Sequence, residues 1–107
     1  MKVAAVQLTS TGNVTENQEL ALAKIREAAG NGARLIVLPE ATAQNFRSGR
    51  LDEQAQTLEG PFATAIQTLA EELEVTVVAG MFCPADTVER EGKTINRVTN
   101  TALIAGP

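Results

Sequence analysis

The sequence contains no histidine, no tryptophan and no tyrosine, and it has a single cysteine among its 107 residues. Without histidine the chain cannot build a Ser-His-Asp triad, a Cys-His pair or a zinc-binding HExxH helix. A single cysteine excludes an internal disulfide and any multi-cysteine metal site. Sites that need a histidine, and sites that need more than one cysteine, are therefore excluded within this chain.

Positive charge and aromatic side chains are also scarce. Nine Lys and Arg stand against 13 Asp and Glu, which gives a formal net charge of -4. No basic field is available to attract nucleic acid or an acidic lipid surface. Three phenylalanines are too few for the stacking platforms that bind single-stranded nucleic acid. We expect neither a nucleic-acid partner nor a membrane partner.

No targeting segment is visible at the amino terminus. The apolar run after Lys2 is interrupted at Gln7, which makes it shorter than the core of a signal peptide. A lone thiol fits a reducing compartment, so we expect a cytoplasmic protein. The length and the 44% apolar content predict one domain at most, covering residues 1–107.

The chain is organised around residues 33–40, in which the apolar run Leu35–Leu38 precedes Pro39 and Glu40. Such a short, β-prone run predicts a strand buried on both faces, as inside a parallel sheet. Proline lacks a backbone donor, so it ends the ladder where the acid begins. Glu40 should lie at the carboxyl end of a central strand, where open α/β folds gather their ligands. A carboxylate beside apolar surface loses hydration, which suits Glu40 to general-base work, although many acids in this position only cap a turn.

Two helices are predicted, one before this strand in the sequence and one after it. We expect both on the same side of the sheet, which would leave the other sheet face bare. Asn13 is the expected N-cap of the first, with Glu16 completing a capping-box pattern and Gly30-Asn31-Gly32 ending it. The second opens at Gly60-Pro61, since proline is tolerated in the first turn. Its apolar stripe is Phe62, Ala65, Ile66, Leu69, Ala70 and Leu73.

Three further strands are predicted: Lys2–Leu8, Val75–Ala79 ended by Gly80, and Thr94–Ala105 after a turn at residues 91–93. In the last strand, alternation places Val98, Asn100, Ala102 and Ile104 on one face. Residues 41–59 show no clear period and predict a long loop, in which Phe46 either lines a site or pins the loop. The resulting order is β-α-β-loop-α-β-turn-β, an α/β fold.

Several segments in this order resemble the amino-terminal part of the nitrilase, or carbon-nitrogen hydrolase, superfamily. The matching segments are Val3-Ala4-Ala5-Val6-Gln7-Leu8, Gly32-Ala33-Arg34, Leu35-Ile36-Val37-Leu38-Pro39-Glu40, Glu59-Gly60-Pro61, Val77-Val78-Ala79-Gly80 and Asn100-Thr101-Ala102-Leu103. The resemblance covers essentially the whole chain. Its most specific piece is Leu38-Pro39-Glu40 after an apolar strand.

The resemblance implies a fold, a reaction and a site. The fold is a four-layer α-β-β-α sandwich, of which residues 1–107 would be one part, usually paired into dimers or larger homo-oligomers. The reaction is hydrolysis of a small amide or nitrile by a Cys nucleophile, a Glu general base and a Lys that stabilises the tetrahedral intermediate. The catalytic Glu corresponds to Glu40, and the family needs no metal and no organic cofactor.

Only the Glu of that set lies in this chain. Lys93 precedes the fourth strand and Cys83 follows the third, so neither matches the family's Lys or Cys, which would lie beyond Pro107. The leading hypothesis is a carbon-nitrogen hydrolase, favoured as a small-amide amidase because amidase-like branches of the family are common. Residues 1–107 would be the amino-terminal part of its single domain, and the rest of that domain would complete the site. One alternative is a non-catalytic α/β module that binds a partner through an open sheet face. Another is a flavodoxin-like phosphate binder using residues 9–12, although that loop lacks the usual glycines.

Overall fold

The chain folds into one four-stranded sheet with two helices. A computed structural model describes all 107 residues. The elements are β1 (Val3–Ala5), α1 (Val14–Gly30), β2 (Leu35–Val37), α2 (Pro61–Leu73), β3 (Thr76–Arg90) and β4 (Lys93–Ala105). The strands lie in the order β1-β2-β3-β4, with β1, β2 and β3 parallel and β4 antiparallel to β3. The predicted order of elements is confirmed.

Both helices begin where the sequence predicts, each through a specific cap. The Asn13 side chain accepts the Glu16 backbone N–H at 2.9 Å, as an N-cap should. The Glu16 carboxylate accepts from the Thr11 hydroxyl rather than closing the reciprocal capping box. Gly60 has no side chain with which to cap α2, and the Gln56 side-chain oxygen accepts the Phe62 N–H at 2.8 Å instead.

The core lies between the two helices and one face of the sheet. Ile25 of α1 and Phe62 and Ile66 of α2 are fully buried in one cluster with Ile36 and Val77 of the sheet. Burying each of these side chains contributes roughly 1.5–3 kcal/mol. A single apolar cluster therefore attaches both helices to the same face.

The opposite face of the sheet carries no helix and is largely exposed. Strand register places Val3, Ala5, Leu35, Val37, Val78, Ala102 and Ile104 on this surface, which we call the outer face. Ile104 is 70% exposed and Val37 is 37% exposed. The prediction that the central strand is buried on both faces is therefore wrong for these residues, because both helices pack on the other side.

Two strand lengths differ from the prediction. β1 is confined to Val3–Ala5, whereas β3 continues through Gly80 to Arg90. β3 continues because β4 supplies an antiparallel partner as far as the Arg90–Lys93 pair, and a register shift between Pro84 and Thr87 accommodates the proline.

The distal part of the β3–β4 hairpin, residues 84–98, forms an extended arm. A two-residue turn at Glu91 and Gly92, with φ of 51° and 77°, reverses the chain as predicted. The arm gives the molecule a longest dimension of 53 Å. No helix of the structure has the length and apolar character needed to cross a membrane.

Candidate active site

Glu40 lies just beyond the carboxyl end of β2, as the sequence predicts. The Leu38 N–H donates to Val78 O at 2.8 Å, which extends the β2–β3 ladder one residue past Val37. Pro39 then ends the pairing because it has no N–H. The expectation that apolar surroundings desolvate the Glu40 carboxylate is wrong for this chain, because Glu40 is exposed.

The backbone of Glu40 crosses β3 at Gly80. The Gly80 N–H donates to Pro39 O at 3.1 Å, and Gly80 O accepts the Ala43 N–H at 3.1 Å. A Cβ atom at Gly80 would lie 2.6 Å from Glu40 Cα and closer still to the Glu40 carbonyl. Position 80 therefore requires glycine, since any side chain would displace the candidate catalytic residue.

This crossing places Glu40 on the outer face of the sheet. Successive strand residues alternate between faces, and Ala79 and Met81 belong to the helix-side core. Gly80 consequently faces the other way, and so do its partner Ala102 and, two residues earlier on β4, Asn100. The site thus lies on the surface that the helices leave uncovered.

Asn100 is the side chain that meets the carboxylate. Its amide Nδ2 donates a hydrogen bond to Glu40 Oε1, although the two residues are 60 positions apart in sequence. The pair lies in a shallow depression of about 310 Å³, lined by Leu38, Glu40, Val78, Ala79, Gly80, Asn100, Thr101 and Ala102. Glu40 is the only one of these residues that carries a charge, so the depression combines one carboxylate with a mainly apolar floor.

The segment that follows Glu40 is anchored by buried polar side chains. Thr42 is fully buried and donates to Pro39 O at 2.6 Å. Asn17 of α1, also buried, donates to Ala43 O at 2.9 Å and accepts the Thr11 N–H at 2.8 Å. These hydrogen bonds fix the backbone that follows Glu40, and α1 supplies one of them through Asn17.

Two further contacts hold the rest of this loop. Phe46 packs edge-on against Phe82, with ring centroids 5.3 Å apart, and does not line the depression around Glu40. The Asp52 carboxylate accepts from Arg50 Nε at 2.9 Å and from Asn96 of β4 at 3.3 Å. The hydrogen bond from Arg50 is the main reason that the pKa of Asp52 lies below its usual value. Of the two roles proposed for Phe46, pinning the loop is the one that this packing favours.

Asn17 and Asn100 were not predicted as contributors to a site. Asn17 lies between Glu16 and Gln18 in a polar stretch of α1, and its burial depends on the loop that it contacts. Asn100 belongs to a segment that carries the family resemblance, but its partner is 60 residues away. The one available signal was the alternation of β4, which placed Asn100 on the same face as Ala102 and Ile104.

The other candidate residues do not join Glu40. Cys83 is half-buried and lines a separate depression with Glu59, Thr99 and Thr101. Lys93 lies opposite Arg90 in the register of β3 and β4, beside the turn of the arm. No group of three or more acidic or cysteine side chains is arranged to hold a metal ion. The chain supplies one acid–base group at this site.

Comparison with known proteins points to one family. The family model described as carbon-nitrogen hydrolase matches residues 2–107. A hydrolase from Mycobacterium tuberculosis is 38% identical over 108 residues, covering 100% of this chain and 35% of that protein. A deaminated glutathione amidase from Synechocystis is 36% identical over 96 residues, covering 90% of this chain and 35% of that protein.

The fold is shared with solved structures of the same kind. The crystal structure of an amidase from Nesterenkonia sp. superposes with a TM-score of 0.72 at 18% identity, covering 99% of this chain and 38% of that one. At this identity the likeness shows the fold alone. The chain spans about a third of the length of the curated relatives that it matches.

Proposed function

The chain belongs to the carbon-nitrogen hydrolase family, and on that premise we propose that the protein carrying it hydrolyses carbon–nitrogen bonds other than peptide bonds, with Glu40 as general base. The observation that carries this proposal is the position of Glu40. It follows the central parallel strand at its carboxyl end, crosses Gly80 and presents its carboxylate beside Asn100 in a depression. Open α/β sheets bind their ligands at this end of the strands.

The proposed reaction needs a nucleophile and a cation in addition to Glu40. In the mechanism that the family implies, Glu40 accepts the proton of a cysteine thiol as the sulfur attacks the amide carbon. A lysine offsets the negative charge that develops on the carbonyl oxygen. Glu40 then returns the proton to the departing nitrogen as the C–N bond breaks, and water hydrolyses the resulting thioester. The cysteine and lysine would come from outside these 107 residues.

The outer face supports the presence of additional covering structure. A surface that includes Val37 and Ile104 exposes apolar area and strand edges, which are liabilities unless another layer covers them. We propose that the remainder of the hydrolase domain packs on the outer face. That face would then be an interface inside a four-layer sandwich. The remainder of the domain would enclose Glu40, which lies on that same face, and withdraw its carboxylate from water.

A small amide is the proposed substrate rather than a nitrile. Relatives named as amidases, including the deaminated glutathione amidase of Synechocystis, support the amide. The uncovered depression around Glu40 offers no second charge with which to select a charged substrate group. The polarity of the rest of the pocket would then depend on the covering layer.

A non-catalytic module is the second candidate. The observation that favours it is the separation of Cys83 and Lys93 from Glu40, which leaves a single acid–base group at the site. Such a module would bind a partner on the outer face without turnover. The two candidates differ in whether the protein releases ammonia or an amine from a small amide.

The test is a Glu40→Gln substitution in the full-length protein that carries this chain, assayed for ammonia release from a panel of small amides and nitriles. Glutamine preserves the size and the Asn100 contact but cannot accept a proton, so we expect kcat to fall by roughly 10²–10⁴-fold. Glu71→Gln, at an exposed position on α2, is the matched control and should keep full activity. Unchanged turnover in Glu40→Gln would refute the assigned role, and a wild type inactive on every substrate would support the module.

A further inference from the structure

We propose that Asn100 of β4 is a positioning residue for the Glu40 carboxylate: its amide donates to Oε1 and leaves Oε2 as the proton acceptor. The proposal rests on the proposed function of Glu40 as general base. It adds a second residue to the site, one that acts through Glu40 rather than on the substrate.

The sheet brings the two side chains together in a defined way. The register of β3 and β4 pairs Gly80 with Ala102 and Phe82 with Asn100, so Asn100 lies on the outer face two residue pairs beyond the crossing point of Glu40. The Glu40 backbone is held against β3 at Gly80, and the Asn100 side chain extends from the neighbouring strand. The contact therefore depends on two anchored backbones rather than on a loop tip.

No other side chain holds the carboxylate. Glu40 takes part in no ion pair, and the bond from Asn100 is the one side-chain hydrogen bond that it accepts. Glu40 is exposed, and without this bond its carboxylate would be free to rotate. The orientation of the acid within this chain thus depends on a single amide.

The chemistry of an amide donor suits a general base. An arginine or lysine in this place would orient the carboxylate and also add Coulombic stabilisation of its ionised form, which would weaken it as a proton acceptor. A neutral N–H donor orients one oxygen with a smaller effect of this kind. Since general-base efficiency depends on both geometry and basicity, Asn is the better residue for the purpose.

The first test is Asn100→Ala in the full-length protein. Loss of the donor leaves the Glu40 backbone in place but frees its side chain, so we expect kcat to fall about 10- to 100-fold with little change in KM. The second variant, Asn100→Asp, is nearly isosteric and replaces the donor with a second carboxylate. Two adjacent carboxylates disfavour ionisation, so the acidic limb of the kcat/KM profile should move to higher pH.

Asn96→Ala is the matched control. Asn96 is an exposed residue of the same type, on the same strand and face, and it donates to Asp52 rather than to Glu40. This variant should keep the wild-type kcat and pH profile. Melting temperatures of all variants establish whether they are folded, and Asn100→Asp provides a test if Asn100→Ala fails to fold.

The outcomes separate this proposal from the proposed function. Full activity of Asn100→Ala together with an inactive Glu40→Gln overturns the role of Asn100 and leaves Glu40 as the base. An unshifted pH profile in a folded Asn100→Asp also overturns it, because a merely structural role would not move that limb. Full activity of Glu40→Gln overturns both.

Discussion

Replacing Gly80 with alanine should damage stability and activity together, because the Glu40 backbone occupies the space that the new methyl group would need. The added Cβ would lie 1.3 Å from the Glu40 carbonyl oxygen and 2.6 Å from Glu40 Cα, whereas heavy atoms in contact prefer separations of about 3.5–4.0 Å. The 39–43 segment must therefore move by about 2 Å, away from both of its hydrogen bonds to Gly80. Overpacking typically costs roughly 1–3 kcal/mol, and an overlap with fixed backbone should cost at least the upper end of that range.

The assay combines urea unfolding with turnover by the full-length protein. A displacement of about 1 Å at a catalytic group can already cost about 100-fold in rate, so kcat should fall by at least that factor. Gly30→Ala is the control, since a Cβ at Gly30 meets nothing within 4 Å at the end of α1. It should stabilise by at most about 1 kcal/mol. A Gly80→Ala protein with wild-type stability and full turnover would refute the crossing of Glu40 over β3.

Three further substitutions test the supports around the site. Asn17→Ala removes a buried side chain and leaves its backbone partners unsatisfied, so unfolding free energy should fall by about 2–4 kcal/mol, measured by urea denaturation. Gln56→Ala removes the cap on the Phe62 N–H and should lower it by about 1 kcal/mol in the same assay. A hydrogen bond from Arg97 holds the pKa of Asp86 below its ordinary value of 3.8. The stability advantage of the wild type over Asp86→Asn should therefore be full at pH 7 and should shrink as the pH falls below that value.

Each of these three predictions has an outcome that would contradict it. Gln67→Ala, at an exposed position on α2, should change stability by less than about 0.5 kcal/mol, and a Gln56→Ala effect no larger than this would exclude the cap. An Asn17→Ala protein that unfolds at the wild-type urea concentration would show that the loop does not depend on α1. A wild-type advantage over Asp86→Asn that stays constant from pH 7 to pH 2 would rule out the ion pair as its source.

Much of the fold followed from local patterns. The apolar stripe of α2, the cap at Asn13 and the turn at Glu91-Gly92 depend on interactions within a few residues, so they could be predicted from their own segments. The position of Glu40 after the central strand was predicted for the same reason, because Pro39 ends the ladder wherever that strand lies. The resemblance to a hydrolase family, shown by the family match, also depended on the order of short segments.

Other features depended on partners that are distant in sequence. β3 continues through Gly80 and Pro84 because β4 supplies its hydrogen bonds and a register shift accommodates the proline. No local sequence pattern predicts that pairing. The exposure of Glu40 and Val37 follows from both helices packing on one face, which is a property of the whole sheet.

The composition and the local periodicity of this chain determined its class, its element order and its one candidate acid. The tertiary structure alone decided that Glu40 crosses Gly80 and receives a hydrogen bond from Asn100. The physical reason is that periodicity records which face a residue occupies, whereas a contact across 60 residues depends on strand register and on the path of the loop between them. The candidate acid could thus be identified from its own segment, whereas its geometry depends on the pairing of the strands.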